Sequence, residues 1–501
     1  MDPIAKGRIL FTRDHTESPV LRVGASSLRR PPDRPMQLGA YPLAPGVRIE
    51  PTGPASARIR LDPFGAFPLF MAGTPTVLGD SLPEVAAHAD VTGLVDPVTV
   101  AGRIAFECDV GPHTLLEGVR RMLPTEVAEV DFDSGQVTIA NAPPERARPD
   151  PLPFLIDLAA RAFGEGADAE LSGGYDSRLV LALGCAAGVR PRTAITMGSP
   201  GSFDVDCATA IARELGIPHR IIPFPSLEDP DWDTIRRFWL DSGCSIDPLE
   251  YAWVPTVFGS AFEGRRMQLS GVGGEIASGF FAFRGDETML RLAGWRRLIQ
   301  FRMAKRRHRL ASMGREGERL LELAVDRVVE RIHGSTGWRE FGLRMYVEER
   351  CRSWAGSVLA GSSTLYRPVA PLLTPEYRSL CAAEASRDHG RAWQHRLIGT
   401  LEPRLVRFPF HPNWSTLRKL GRRWSRSASG APRPDPLRHG DDRIRECFES
   451  GCLQLNWSPE VAAAHAGTAI ALGWLELERA AVLRTLDRER SAARESSRRP
   501  A

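Results

Sequence analysis

The stretch that most constrains the fold of this 501-residue chain is 154–224, where short apolar runs alternate with segments of helical period. FLIDLAARAFG reads as a helix and ADAEL as a short buried strand ending in the turn Ser172-Gly173-Gly174. A helix over about 177–187, the strand TAITM (193–197) and a second helix follow. That second helix sets Val205, Ala208, Ile211, Ala212 and Leu215 on one face, with Ser202 as its cap and Gly216 as its stop. HRIIPF (219–224) is the third strand. Strand–helix–strand–helix–strand at this spacing implies a parallel sheet with right-handed crossovers. Ligands on such sheets bind at the carboxyl ends of the strands, where Ser172-Gly173-Gly174 falls.

The turn belongs to Leu171-Ser172-Gly173-Gly174-Tyr175-Asp176-Ser177-Arg178. Its glycines let the backbone turn tightly and approach a ligand. The hydroxyls of Ser172 and Ser177, with the free amides of the helix start, would aim donors at one place, as a phosphate or pyrophosphate requires. Asp176 would be misplaced against a bare phosphate but suits a Mg²⁺ riding on one. Taken alone, the eight residues also fit a polar turn that merely caps a helix.

Elsewhere the texture differs. Residues 1–145 read as short β-rich segments between Pro/Gly turns, among them ARIRL before DPFGAFPLF, VAGRIAFEC, and EVAEVDF leading through Asp133-Ser134-Gly135 to QVTIA. The Pro-rich tract 140–153 marks a boundary between two domains, 1–145 and 146–501. Residues 285–410 look mainly helical, with Leu321, Ala324, Val325, Val328 and Ile332 as one stripe ended by Gly334. The segment 421–440, rich in Ser, Arg and Pro, is expected to be a mobile loop, and 459–493 a last helical piece. No internal repeat stands out.

Composition excludes several classes. The eight cysteines are scattered without a C-x-x-C pair, which argues against structural zinc, iron–sulfur and disulfide scaffolds. A net charge of +4 is too weak to point to nucleic acid. With no run of 18 apolar residues and no signal-like start, the expectation is a cytoplasmic protein with no transmembrane segment. Of 65 basic residues only Lys6, Lys305 and Lys419 are lysines, which leaves 62 arginines. Chemistry that needs an ammonium therefore has three candidates.

The 171–178 segment resembles the S-G-G-x-D-S signature of the ATP-pyrophosphatase domain of asparagine synthetase and its relatives. Ser270-Gly271-Val272-Gly273-Gly274-Glu275 is similar to that family's G-x-G-G-D-E, and Asp62-Pro63-Phe64-Gly65-Ala66-Phe67-Pro68-Leu69-Phe70 to the D-x-x-G-x-x-P-L-Y of its glutaminase-type domain. The resemblance covers about 60–420. It implies an α/β fold class: a degenerate β-rich Ntn-type domain, then a PP-loop synthetase domain on a parallel sheet with a mainly helical C-terminal part. It also implies an enzyme that adenylates a carboxylate with ATP and Mg²⁺, after which an amine captures the acyl-adenylate. The residues it assigns to the nucleotide are Leu171, Ser172, Gly173, Gly174, Asp176, Ser177, Thr196, Met197, Gly198, Gly271, Gly273 and Gly274. Asp176 and Glu275 would hold the metal.

Departures sort the relatives. The family's nucleophilic cysteine at position 2 is Asp2 here, so no ammonia is expected from glutamine. That loss is shared with β-lactam synthetases and with lasso peptide macrolactam cyclases. Val272 stands where β-lactam synthetases are expected to carry a tyrosine, and Arg367 where the family has a glutamate. Tyr346, Glu348 and Glu349 remain open as substitutes for the base. The family's late lysine is matched to Lys419, after Arg407-Phe408-Pro409-Phe410; Lys305 lies in a basic stretch, 296–309, that reads as a solvated helix face or a patch for an acidic leader peptide or partner. The leading expectation is a lasso peptide cyclase acting on a peptide or small-molecule carboxylate and amine, beside a leader-peptide protease or precursor peptide. The alternatives are a small-molecule amide ligase of the β-lactam kind and a non-catalytic nucleotide-binding scaffold.

Overall fold

A computed structural model describes residues 9–13, 19–23, 26–39, 45–74, 76–143, 145–225, 227, 230–261, 266–278, 286–302, 310, 313–332, 334–335, 337–385, 391–410, 442–455 and 457–497. Lys305, Lys419 and the segment 421–440 lie outside the described residues.

The N-terminal part builds two antiparallel sheets. One contains β1 (Ile9–Arg13), β2 (Pro19–Val23), β3 (Ser26–Leu28), β7 (Phe70–Ala72), β8 (Val77–Gly79) and β9 (Val119–Arg121), in the order β3-β2-β1-β8-β7-β9. The other contains β4 (Met36–Gly39), β5 (Gly46–Pro51), β6 (Ser56–Leu61), β10 (Glu126–Asp131) and β11 (Val137–Asn141), in the order β11-β10-β6-β5-β4. Alternation along β6 sends Ala57, Ile59 and Leu61 inward, where they share one core with Ile9, Phe11 and Leu21 of the facing sheet. Asp62, fully buried at the end of β6, accepts the amides of Gly46, Phe64, Ala66 and Phe67 and so shapes the Asp62–Phe70 segment.

VAGRIAFEC is not a strand: Val100–Phe106 complete the helix Pro97–Phe106, and Glu107 ends it in the left-handed conformation at φ 60°. The Asp96 side chain caps it through the Val98 and Thr99 amides, Pro97 supplies the first turn, and Val100, Ala101, Ile104 and Ala105 bury at helical spacing. Pro151, inside the expected break, likewise opens the helix Pro151–Gly164.

The second part is α/β. β12 (Asp168–Glu170), β13 (Ala194–Met197), β14 (His219–Ile222), β15 (Met267–Leu269) and β16 (Arg367–Val369) form a parallel sheet in the order β14-β13-β12-β15-β16. The chain runs outward from β12 to β14 and then returns to β15 on the other side of β12. The β12/β15 junction is therefore the switch point, where strand carboxyl ends leave a crevice. Helices Tyr175–Ala186 and Phe203–Leu215 make the first two crossovers, the latter stopped by Gly216 at φ 64°. Ser202 precedes that helix but makes no side-chain cap bond. β16 interrupts the expected helical stretch 285–410. On Gly314–Arg331 the expected stripe buries Ala324, Val325 and Val328, and Ile332 just past its end, but Leu321 is half-buried and Leu320 takes the interior place.

The two parts share one buried apolar cluster. Polar ties reinforce it: Arg327 pairs with Asp96 at 2.8 Å, and buried Arg121 donates to Ser245 at 3.0 Å and to the Gly65 carbonyl at 3.0 Å. Burial pulls the Arg121 pKa down to about 9. No helix among the described residues is long and apolar enough to cross a membrane.

Asp62→Ala leaves four amides without their acceptor in a site closed to water. It is expected to destabilise the protein by roughly 2–4 kcal/mol, read as a lower urea midpoint. An unchanged midpoint would remove Asp62 from its organising role.

Candidate active site

β12 ends at the first glycine loop, and the helix Tyr175–Ala186 starts directly from Gly174. The loop is braced from within. Ser172 Oγ and Ser177 Oγ lie 2.9 Å apart, the Ser172 amide donates to Ser177 Oγ at 3.1 Å, and the Gly174 amide donates to Ser172 Oγ at 3.1 Å. The Gly173 amide donates to Asp204 Oδ1 at 2.9 Å. The two hydroxyls expected to point at a ligand also bond one another, an exchange that uses only one of their two O–H donors.

The second glycine loop leaves β15 and turns into a short 3-10 helix, Gly274–Ser278. A Cβ on Gly271 would fall 2.8 Å from the Ser177 amide nitrogen, and one on Gly274 would fall 2.0 Å from Asp176 Cγ. No other residue type permits that approach. Gly273, at φ 97°, has its own Cβ direction filled by the Leu372 carbonyl. Asp176, Ser177, Gly271, Gly274 and Glu275, predicted from two separate motifs, meet here.

Each carboxylate has a partner. Arg391 Nη1 donates to Asp176 Oδ1 at 2.7 Å and Gln394 Nε2 reaches the same oxygen at 3.2 Å. Gln394 also donates to Tyr377 Oη at 2.8 Å, and that hydroxyl faces the Gly274 carbonyl at 3.4 Å. Tyr346 Oη donates to Glu275 Oε2 at 2.7 Å. Burial first, and the nearby Asp176 charge second, push the Glu275 carboxyl above its ordinary range. Burial opposes the Arg391 charge, but the carboxylates beside it outweigh burial and raise its pKa.

The remaining predicted residues divide. Leu171 is buried, its amide on the Ile195 carbonyl and its carbonyl receiving Thr196 Oγ1 at 2.7 Å. Thr196 also meets His219 Nε2 at 2.9 Å, so its side chain serves the interior and not a ligand. Met197 is half-buried, and Gly198, at φ 143°, continues the sheet to the Ile222 carbonyl. Of the three substitutes for the base, only Tyr346 adjoins the site. Burial holds its phenol well above the ordinary value, so it acts there as a donor and not as a base. Glu348 pairs with Arg331 and Arg344, and Glu349 with Arg331 and Arg352, away from the loops. Arg367 is exposed at the start of β16.

Several participants carried no readable signal. Arg391, Gln394, Tyr377 and Asp204 sit in ordinary helical text. Arg178 lies inside the motif, yet its work is distant. It donates to the carbonyls of Leu405, Phe408 and Pro409 and lies 4.0 Å from the Phe410 ring centroid. Phe410 stacks on Tyr175 at 4.2 Å, fastening the 405–410 segment to the first loop.

Among the described residues, no group of three or more His, Cys, Asp or Glu could hold a metal. Two neighbouring carboxylates do suit Mg²⁺, which takes one or two from protein and the rest from phosphates and water. The chain matches no known family model, and no curated protein matches it.

Because Asp176 raises the Glu275 pKa, Asp176→Asn should lower it; ¹³C-carboxyl NMR across pH reads the change. The folded state holds the Glu275 proton more tightly than the unfolded chain does. Its contribution to stability therefore falls as pH rises from about 4.5 through the folded pKa, and the substitution should flatten that fall. A Glu275 titration indifferent to Asp176→Asn would contradict the pairing.

Proposed function

We propose that this protein is an ATP- and Mg²⁺-dependent, AMP-forming amide synthetase. One observation carries the reading: two glycine loops touch at the switch point of a parallel sheet and bring two carboxylates, Asp176 and Glu275, under one another's charge. In this reading ATP lies in the crevice with its phosphates against the loops. Asp176 and Glu275 hold Mg²⁺, which would neutralise charge on the departing pyrophosphate. Tyr346 orients Glu275, and Arg391, paired with Asp176, offers its guanidinium to the same phosphates. A substrate carboxylate attacks the α-phosphorus, pyrophosphate leaves, and an amine then displaces AMP.

The amine is supplied by the substrate, not by glutamine. The N-terminal sandwich contributes Cys108, whose thiol burial pushes up to about 12, too high to act as a nucleophile. Within this class we read a peptide macrolactam cyclase of the lasso type, with small-molecule amide ligation as the neighbouring possibility. Lys419 follows Phe410 by nine residues in the sequence and is the lysine that the resemblance matches to the family's late lysine. It is our candidate for steadying the acyl-adenylate.

One observation favours a second reading, a nucleotide-binding scaffold without turnover: Arg391 already neutralises Asp176 at 2.7 Å. Release of labelled AMP from ATP, screened over amino acids and Asp- or Glu-containing peptides, separates the two. Wild type should form AMP with an active substrate, and Asp176→Ala should abolish it. Equal AMP release by that variant, or none from wild type with nucleotide bound, would defeat the synthetase reading. Lys419→Ala should lower turnover at least about tenfold while leaving ATP affinity within about twofold.

A further inference from the structure

The resemblance left the base that serves the amine unassigned, and Tyr346, Glu348 and Glu349 do not fill the role. The switch point holds another carboxylate, the penultimate residue of the strand expected at ADAEL. Glu170 ends β12 at the switch point, its backbone paired with Ile195 of β13 and its side chain turned toward β15. Ser270 Oγ donates to its Oε2 at 2.6 Å and Gln268 Nε2 to its Oε1 at 2.8 Å, and the Gly271 amide adds a third donor. Gly271 is also the residue whose missing side chain lets Ser177 and Asp176 approach, so Glu170 lies one peptide from the contact between the loops.

Among the described residues nothing balances the charge of Glu170: the groups acting on it are those three neutral donors, and none is a cation. Gln268 on β15 and Ser270 just after it are fully buried, whereas residue 170 is half-buried. A carboxylate offers about four acceptor positions, and three are used. A desolvated carboxylate without a cation is costly, unless a ligand supplies the positive charge or a proton does. Burial, the dominant influence, holds its pKa above the usual carboxylate range despite the three donors, so a proton taken up here is kept more firmly than in water. Burial first, and the Glu170 charge second, hold the Tyr366 phenol above its ordinary range, while its side chain bonds Ser362.

We propose that Glu170 is the carboxylate that receives the amine nucleophile, holding it as an ammonium and taking a proton from it as the amide forms. This rests on the amide-synthetase reading above. The ammonium loses its first proton to water and attacks as a neutral amine. The C–N bond forms, the acyl C–O bond to AMP breaks with its electron pair leaving on AMP, and the second N–H proton passes to Glu170.

Two measurements test it, and they fail separately. In the AMP-release screen, hydroxylamine, a free base at neutral pH, and n-butylamine, which arrives protonated, serve as alternative acceptors. Glu170→Gln keeps the acceptor oxygen and the shape of the site. It should cut butylamide formation roughly 100-fold or more while hydroxamate formation stays within about threefold of wild type. Equal losses with both acceptors, or no loss with either, would overturn the assignment. In the second measurement, n-butylammonium is titrated into wild-type protein labelled with ¹³C at the glutamate carboxyls, the Glu170 resonance being identified by its absence from Glu170→Gln. The resonance should shift saturably and its titration should move to lower pH; an unmoved resonance would overturn the site. Should the screen yield no AMP from any substrate, the synthetase reading falls, and the resonance alone decides whether Glu170 binds an ammonium.

Discussion

Everything proposed for this protein depends on how closely two loops approach each other. Gly274 packs its Cα against the Asp176 carboxylate at a distance that leaves no room for even a methyl group, and Gly271 does the same against the Ser177 amide. The first loop leaves β12 and the second leaves β15, strands adjacent in space but about 100 residues apart in sequence. Parallel pairing of β12 with β15 fixes the height of both loops, and the missing side chains let them close. Two carboxylates then lie within each other's field, with the Arg391 guanidinium on Asp176 and the Glu275 proton held more firmly than in water.

Other layers hold that contact in place. Arg178 ties the first loop to residues 405–410, and Asp204 fixes the Gly173 amide. On the far side Tyr346 holds Glu275 from the first turn of a π-helix, Met345–Ala355. The same π-helix sends Glu349 to the Gly111 amide and Ser353 to Asp109, so the N-terminal sandwich and the second carboxylate share one support. A wide helical turn of this kind staggers side chains differently from an α-helix. Residues a few positions apart can therefore face opposite partners.

Much of this was legible in sequence, for a specific reason. The alternation in 154–224 gave β12, β13 and β14 and the helices between them, because each crossover buries one face and so repeats a period. Glycines at 173, 271, 273 and 274 were readable because close approach and positive φ tolerate few substitutes. VAGRIAFEC was misread because a short run of small apolar residues fits either period; Asp96-Pro97 before it, a cap and first-turn pair, was the overlooked signal. That Ser172 and Ser177 bond one another depends on rotamers and not on residue type, so the motif does not encode it.

The sequence alone determined that a strand, a glycine turn and a helix would follow one another at 168–186, and that acidic residues would follow the glycines in both motifs. Local periodicity and backbone freedom act over a few residues, so a linear text records them. Only the tertiary structure decided that Asp176 pairs with Arg391, that Tyr346 donates to Glu275, and that Glu170 stands in the switch-point crevice among neutral donors. Those pairings join residues far apart in the chain. Their partners are chosen by strand order and burial, and no spacing in the sequence encodes either.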